Sequence, residues 1–285
     1  MDHRLRAGQP SATALKVAVR RAAHQLLDDP KVFDDPLALK IIGEKAAEQL
    51  GRELDRERSV WGGALRAHMA VRSRFAEDRL ARAYAAGVRQ YVVLGAGLDT
   101  FAWRNPHPDL KVFEVDHPAT QAWKRKRLQG AGVATPDSLV YAPVDFEAQT
   151  LEQGLVDVGF DPKRPTFFSW LGVVMYLTEE AGFRTLAYVA ALPAGSEIVF
   201  DFPVTTGNMT PLSRLAVNRL AQRVAALGEP FRSAYDPGDL VKRLLAVGFS
   251  QAETLGSDAL NRLYFAGRRD GLRLRGPGRL ARATV

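Results

Sequence analysis

The run VVLGAGLDT (92–100) places two glycines, Gly95 and Gly97, at the end of a β-rich stretch. Lacking Cβ atoms, they let the backbone turn sharply and let a ligand approach the main chain, which suits a nucleotide-type ligand. The dinucleotide-binding form of such a loop, G-x-G-x-x-G, needs a small third residue so that the following helix can close on a pyrophosphate. Here that position is Thr100, and the neighbouring Asp99 would repel a pyrophosphate while favouring a cationic ligand. A tight strand-to-helix turn with no ligand is the competing reading of the same residues.

In LKVFEVDHP (110–118) the next β-rich run ends at Asp116, nineteen residues past Gly97. That is close to the offset at which a carboxylate accepts the ribose hydroxyls of a bound adenosine. The alternative for Asp116 is a cap on the helix after Pro118. Glu114 shares the strand face with Asp116 and lies inside the strand, which makes it the weaker candidate. Asp145 and Phe146 follow a third strand, where a carboxylate can accept from an adenine amino group and a ring can pack on the base; a helix start with a core aromatic explains them equally. Met175 and Tyr176, past a fourth strand, are candidates for an acceptor pocket, with core packing as the alternative. His68 has the chemistry of a base but reads as a surface residue.

These residues must be positioned by strands and helices, and the sequence patterning supplies them. Up to residue 88 the chain reads as helix: one segment from Ser11 or Thr13 to about Asp29, one starting at Asp35-Pro36, and one over about 60–86 that stops at Gly87. From Gln90 short β-rich runs alternate with helices, the strands lying at 91–94, 111–115, 139–144, 166–171 and 197–202. Runs such as YVVL and EIVF are apolar on both faces, as in a parallel sheet covered by helices on both sides. The expected architecture is α/β, a Rossmann-like doubly wound, mostly parallel sheet. A helical insertion falls at about 205–230 and a helix at 237–247. The runs 249–255 and 262–267 are expected to form an antiparallel hairpin at the sheet edge. The expected divisions are a helical segment 1–88, a core 89–267 and a basic tail 268–285.

Composition limits the function classes. With 285 residues, 46% apolar and 25% charged, the chain can bury a full core. It has no cysteine, so disulfides and thiolate chemistry are excluded, and its five histidines show no zinc-ligand spacing. No apolar run reaches membrane-span length and the start is polar, so the sequence reads as cytoplasmic. The net charge of +7 is concentrated at the end: residues 268–285 hold six arginines against Asp270, leaving +2 for the remainder. This describes a solvated, mobile extension poor in apolar residues, not a nucleic-acid-binding face.

Taken together, VRSRF (71–75), VVLGAGLDTFAWR (92–104), FEVDHP (113–118), VDF (144–146) and FFSWLGVVMYLT (167–178) resemble the leucine carboxyl methyltransferase-like family of S-adenosylmethionine-dependent methyltransferases. The resemblance runs from about Ser11 to Gly267. It implies a class I methyltransferase fold and S-adenosyl-L-methionine as cofactor. By that likeness Gly95 and Gly97 approach the methionine part, Asp116 the ribose, and Asp145 with Phe146 the adenine. Arg72 matches the family arginine that pairs with the cofactor carboxylate, which a planar guanidinium suits. One departure is Leu171 before Gly172, where several members carry glutamate.

The expectation is therefore O-methylation of a small molecule, at a carboxyl group by the same resemblance. A carboxylate is ionised at neutral pH and needs no base, whereas a hydroxyl acceptor is helped by one. The competing classes are a nicotinamide-dependent oxidoreductase, opposed by Thr100, and a non-catalytic nucleotide-binding module with a basic tail.

Overall fold

Alternate residues of the β-rich runs divide between two cores, and this places the sheet in the middle of the fold. The computed structural model describes residues 12–144, 149–205, 207, 214, 215, 222, 225 and 230–285. Five parallel strands form as expected: β1 (Gln90–Leu94), β2 (Lys111–Asp116), β3 (Leu139–Pro143), β4 (Thr166–Trp170) and β5 (Glu197–Phe202). Tyr91, Val93, Phe167 and Val199 point to one face, and Val92, Phe168, Ile198 and Phe200 to the other. The first face is covered by α5 (Val60–Ala85), through Phe75 and Leu80. The second is covered by α9 (Glu179–Ala190) and α10 (Pro237–Val247), through Leu186, Val189, Leu240 and Leu244.

Helix boundaries follow local chemistry. Ser59 caps α5 by accepting from the Gly62 N–H, and Gly87 with φ +104 lies just past its end. Pro237 occupies the first turn of α10, where Asp236 accepts from the N–H groups of Gly238 and Asp239.

Before the sheet, α1 (Ala12–Leu27) and the short α2 (Ala38–Ile42) build a third cluster that includes Leu98 from the loop after β1. The helix expected from Pro36 is broken at Gly43, which has φ +74, and resumes as α3 (Glu44–Arg52) and α4 (Leu54–Arg58). Between the strands run α6 (Phe101–Arg104), α7 (Pro118–Gly130) and α8 (Leu151–Val156). Most of the expected insertion at 205–230 lies outside the described residues.

The end of the chain departs from expectation. Residues 262–267 complete and follow α11 (Ser257–Tyr264) instead of forming a strand. The partner of β6 (Gln251–Leu255) is β7 (Arg279–Thr284), which lies between β5 and β6 and is antiparallel to both. Thus 268–285 is not a mobile tail. A strand paired on both edges satisfies its backbone polar groups in the sheet, so a few small apolar side chains suffice to seat it. Leu280, Ala281 and Ala283 are fully buried, and Leu272 and Leu274 anchor the approach. Two of its six arginines form ion pairs, Arg282 with Glu253 and Arg268 with Asp270.

The strand order β3-β2-β1-β4-β5-β7-β6 reverses direction between β1 and β4. In open α/β sheets ligands bind at the carboxyl ends of the strands where the order reverses.

Candidate active site

Around that reversal the loops after β1 and β4 touch. Gly95 has φ +64, and a Cβ there would lie 2.4 Å from Cγ2 of Val173. Glycine is therefore required by the packing of the two loops as well as by the turn. The Gly95 and Ala96 N–H groups both donate to the Val115 carbonyl, at 2.8 and 3.1 Å, tying the loop to β2. Gly97, with φ +49, donates its N–H to Asp116 Oδ2 at 2.5 Å. A Cβ on Gly97 would stand 3.3 Å from that of Ala14, so α1 lies over this loop.

Asp116 ends β2 half-buried, and its other oxygen accepts from the His117 N–H at 2.7 Å. The cap of α7 is His117, whose Nδ1 accepts from Ala119, so Asp116 is not spent as a cap. Burial pushes its carboxyl above the ordinary value, with partial relief from the Gly97 and His117 N–H bonds. Each oxygen holds one backbone donor and keeps acceptor capacity for a hydroxyl. Glu114 is committed elsewhere, 2.6 Å from Lys124 Nζ in a fully buried pair.

Thr100 is fully buried and polar for a structural reason. Its hydroxyl donates to Asp35 Oδ2 at 2.7 Å, and the same carboxylate forms an ion pair with Arg21, whose Nε lies 2.7 Å away. Arg21 also donates to the Leu98 carbonyl at 2.5 Å. Where a dinucleotide site has a small residue, this loop is fastened to the helical segment that precedes the sheet.

Across the crevice, Arg72 on α5 donates from Nη1 to Asp201 Oδ2 at 2.8 Å. The other Asp201 oxygen accepts from the Gly172 N–H at 2.5 Å, and His68 Nε2 stands 3.5 Å from Oδ2. Burial alone would raise the Asp201 carboxyl; Arg72, His68 and the Gly172 N–H outweigh it and hold it well below the usual carboxylate range. Gly172 has φ +75, and a Cβ on it would meet the Arg72 guanidinium at 3.0 Å. The surface reading of His68 is thus corrected, its side chain being 23% exposed beside a buried carboxylate; that of Arg72 is 7% exposed. Leu171, at the family's glutamate position, packs against the core.

Met175 and Tyr176 lie in a single 3-10 turn after β4. The Met175 carbonyl accepts from the Arg232 N–H at 2.7 Å and the Tyr176 ring packs on Phe231 at 5.7 Å. Both are half-buried. Asp145 and Phe146 lie outside the described residues. The residue that sequence reasoning missed is Asp201. Its signal is an acid near the carboxyl end of EIVFDF, in an otherwise apolar strand that begins with Glu197.

A family profile, leucine carboxyl methyltransferase, matches residues 14–190. The chain belongs to the leucine carboxyl methyltransferase family. It is an S-adenosylmethionine-dependent methyltransferase of that family. A Bacillus subtilis (strain 168) protein named as an S-adenosyl-L-methionine-dependent methyltransferase, YktD, is 33% identical over 94% of this chain and 95% of its own length. A Saccharopolyspora erythraea protein named for the same activity is 38% identical over 66% of each chain. Among solved structures, a methyltransferase-described protein of Thermobifida fusca YX shares the fold with TM-score 0.54 at 19% identity, over 98% of this chain and 96% of its own. Asp116 is bonded to the Gly97 N–H in the loop after β1, and Arg72 is paired with Asp201 at the end of β5.

Proposed function

We propose that this methyltransferase transfers the methyl group of S-adenosylmethionine to an oxygen of a small molecule. The observation that carries the reading is Asp116, held at the end of β2 by the Gly97 N–H with acceptor capacity left for ribose hydroxyls. In this reading Gly95 and Gly97 line the methionine part, Arg72 meets the cofactor carboxylate, and Asp145 with Phe146 meets the adenine. Met175 and Tyr176 border the acceptor. Bound there, the cofactor supplies an electrophilic methyl group. The protein's part is to align the acceptor oxygen with it, and proximity and orientation can contribute roughly 7 to 11 kcal/mol in favourable cases.

The carboxyl acceptor expected from the sequence rests on the family's description. A hydroxyl acceptor has a specific observation in its favour, His68 set against Asp201. Incubation with methyl-labelled cofactor and a small-molecule extract tests the general reading. Label should enter low-molecular-weight products, and mild base separates methyl esters, which release methanol, from methyl ethers, which do not. Label confined to protein, or no transfer, contradicts it.

A further inference from the structure

We propose that His68 is the catalytic base for a hydroxyl acceptor, a phenol or an alcohol, with Asp201 holding its imidazole. The inference rests on the methyl-transfer reading above and narrows its substrate class.

The ring of His68 is clamped on two sides. Its Nε2 stands 3.5 Å from Asp201 Oδ2. Its Cε1 edge also covers the backbone just before β7, where a Cβ on Gly278 would lie 3.2 Å from Cε1, 3.7 Å from Nδ1 and 3.8 Å from Nε2. Gly278 thereby leaves room for the ring, which ties the last strand to the site. Asp201 is buried and stays ionised, so it favours the tautomer with hydrogen on Nε2 and leaves the Nδ1 lone pair to accept a proton. The imidazolium formed on proton uptake faces that same carboxylate.

His24 provides the contrast. It is fully buried, with Nδ1 against Asp28 at 2.7 Å and Nε2 accepting from the N–H groups of Val32 and Phe33, both at 3.1 Å. Both nitrogens are consumed by structure, whereas His68 commits one nitrogen and retains solvent-accessible surface. Its position is also specific. Asp201 binds Gly172, in the turn after β4, and Arg72, one helical turn beyond His68. A carboxylate acceptor brings no proton to this site.

In the step, the acceptor oxygen bonds to the methyl carbon as the carbon–sulfur bond breaks and its electron pair returns to sulfur. The hydroxyl proton passes to His68 Nδ1 and later to water.

The test uses the full chain with S-adenosyl-[methyl-³H]methionine and two probes, phenol and benzoate. Calorimetry with S-adenosylhomocysteine runs alongside; no binding by the wild type would sink the methyltransferase reading itself. With binding present, the expected result is label in phenol as a base-stable ether. His68→Gln should lower kcat by roughly 100-fold or more, with S-adenosylhomocysteine affinity changed less than about twofold, and added imidazole should restore part of the activity of His68→Ala. Label only in benzoate as a base-labile ester, or a His68→Gln enzyme as fast as wild type, would overturn the proposal. If neither probe is labelled, acylation by diethyl pyrocarbonate decides. In the S-adenosylhomocysteine complex His68 must remain open to the acceptor and be acylated faster than His24, and an inert His68 overturns the proposal.

Discussion

Asp201 and Arg72 lie 129 residues apart in sequence and meet at 2.8 Å, joining the carboxyl end of β5 to the middle of α5. The pair also fixes Gly172 and His68, so one carboxylate organises one wall of the crevice.

Asp201→Asn leaves Arg72 buried without its counter-charge and should cost on the order of 3 kcal/mol in chemical denaturation. Pairing depresses the folded-state value of this carboxyl, so its contribution is complete above about pH 4 and is lost as pH falls toward the folded value. The acid limb of the stability curve should therefore flatten in the variant. An unchanged limb would show that Asp201 is not held this way.

Glu114 has the opposite sign. Burial raises its carboxyl to about 7 despite Lys124, and its Oε1 is buried without a hydrogen-bond partner. The unfolded chain therefore releases this proton first. Stability should fall as pH rises from about 4.3 to about 7, with a slope of up to about 1.4 kcal/mol per pH unit. Denaturation of Glu114→Gln across this range should lack that slope. A variant with the wild-type profile would assign the titration elsewhere.

Gly95→Ala combines a left-handed backbone with a contact to Val173 and should destabilise by roughly 1 to 3 kcal/mol. Adding Val173→Ala should recover the steric part and leave the backbone part. Thermal melts of the single and double variants measure both; full recovery would mean that the backbone conformation carries no cost.

Most of the sheet was legible because parallel strands buried on both faces read as short apolar runs, and β1, β2 and β5 fall where YVVL, KVFEV and EIVF place them. The last strand was not. RLARAT alternates charge with small residues and gains its place from pairing with β5 and β6, which a local pattern does not display. Gly95, Gly97 and Asp116 were visible as a spacing, whereas the bond from the Gly97 N–H to Asp116 is a contact that the spacing did not specify. Asp201, and the inward turn of His68, depend on the contact of α5 with β5, a relationship that no local spacing encodes.

Removing residues 268–285 should abolish the native fold, because it takes out β7, the strand with which both β5 and β6 pair. The deleted chain is expected to be insoluble or to melt without cooperativity. A soluble product with a wild-type melting temperature would show that β7 is dispensable.

Calorimetric titration with S-adenosylhomocysteine, comparing wild type with Asp116→Ala, tests the central claim most directly. The wild type should bind one equivalent and show no heat with NAD. The variant should lose about 1.5 to 3 kcal/mol of affinity as its charge-assisted ribose contacts disappear. Wild-type binding of NAD in place of S-adenosylhomocysteine, or an Asp116→Ala variant with undiminished affinity, would contradict the account.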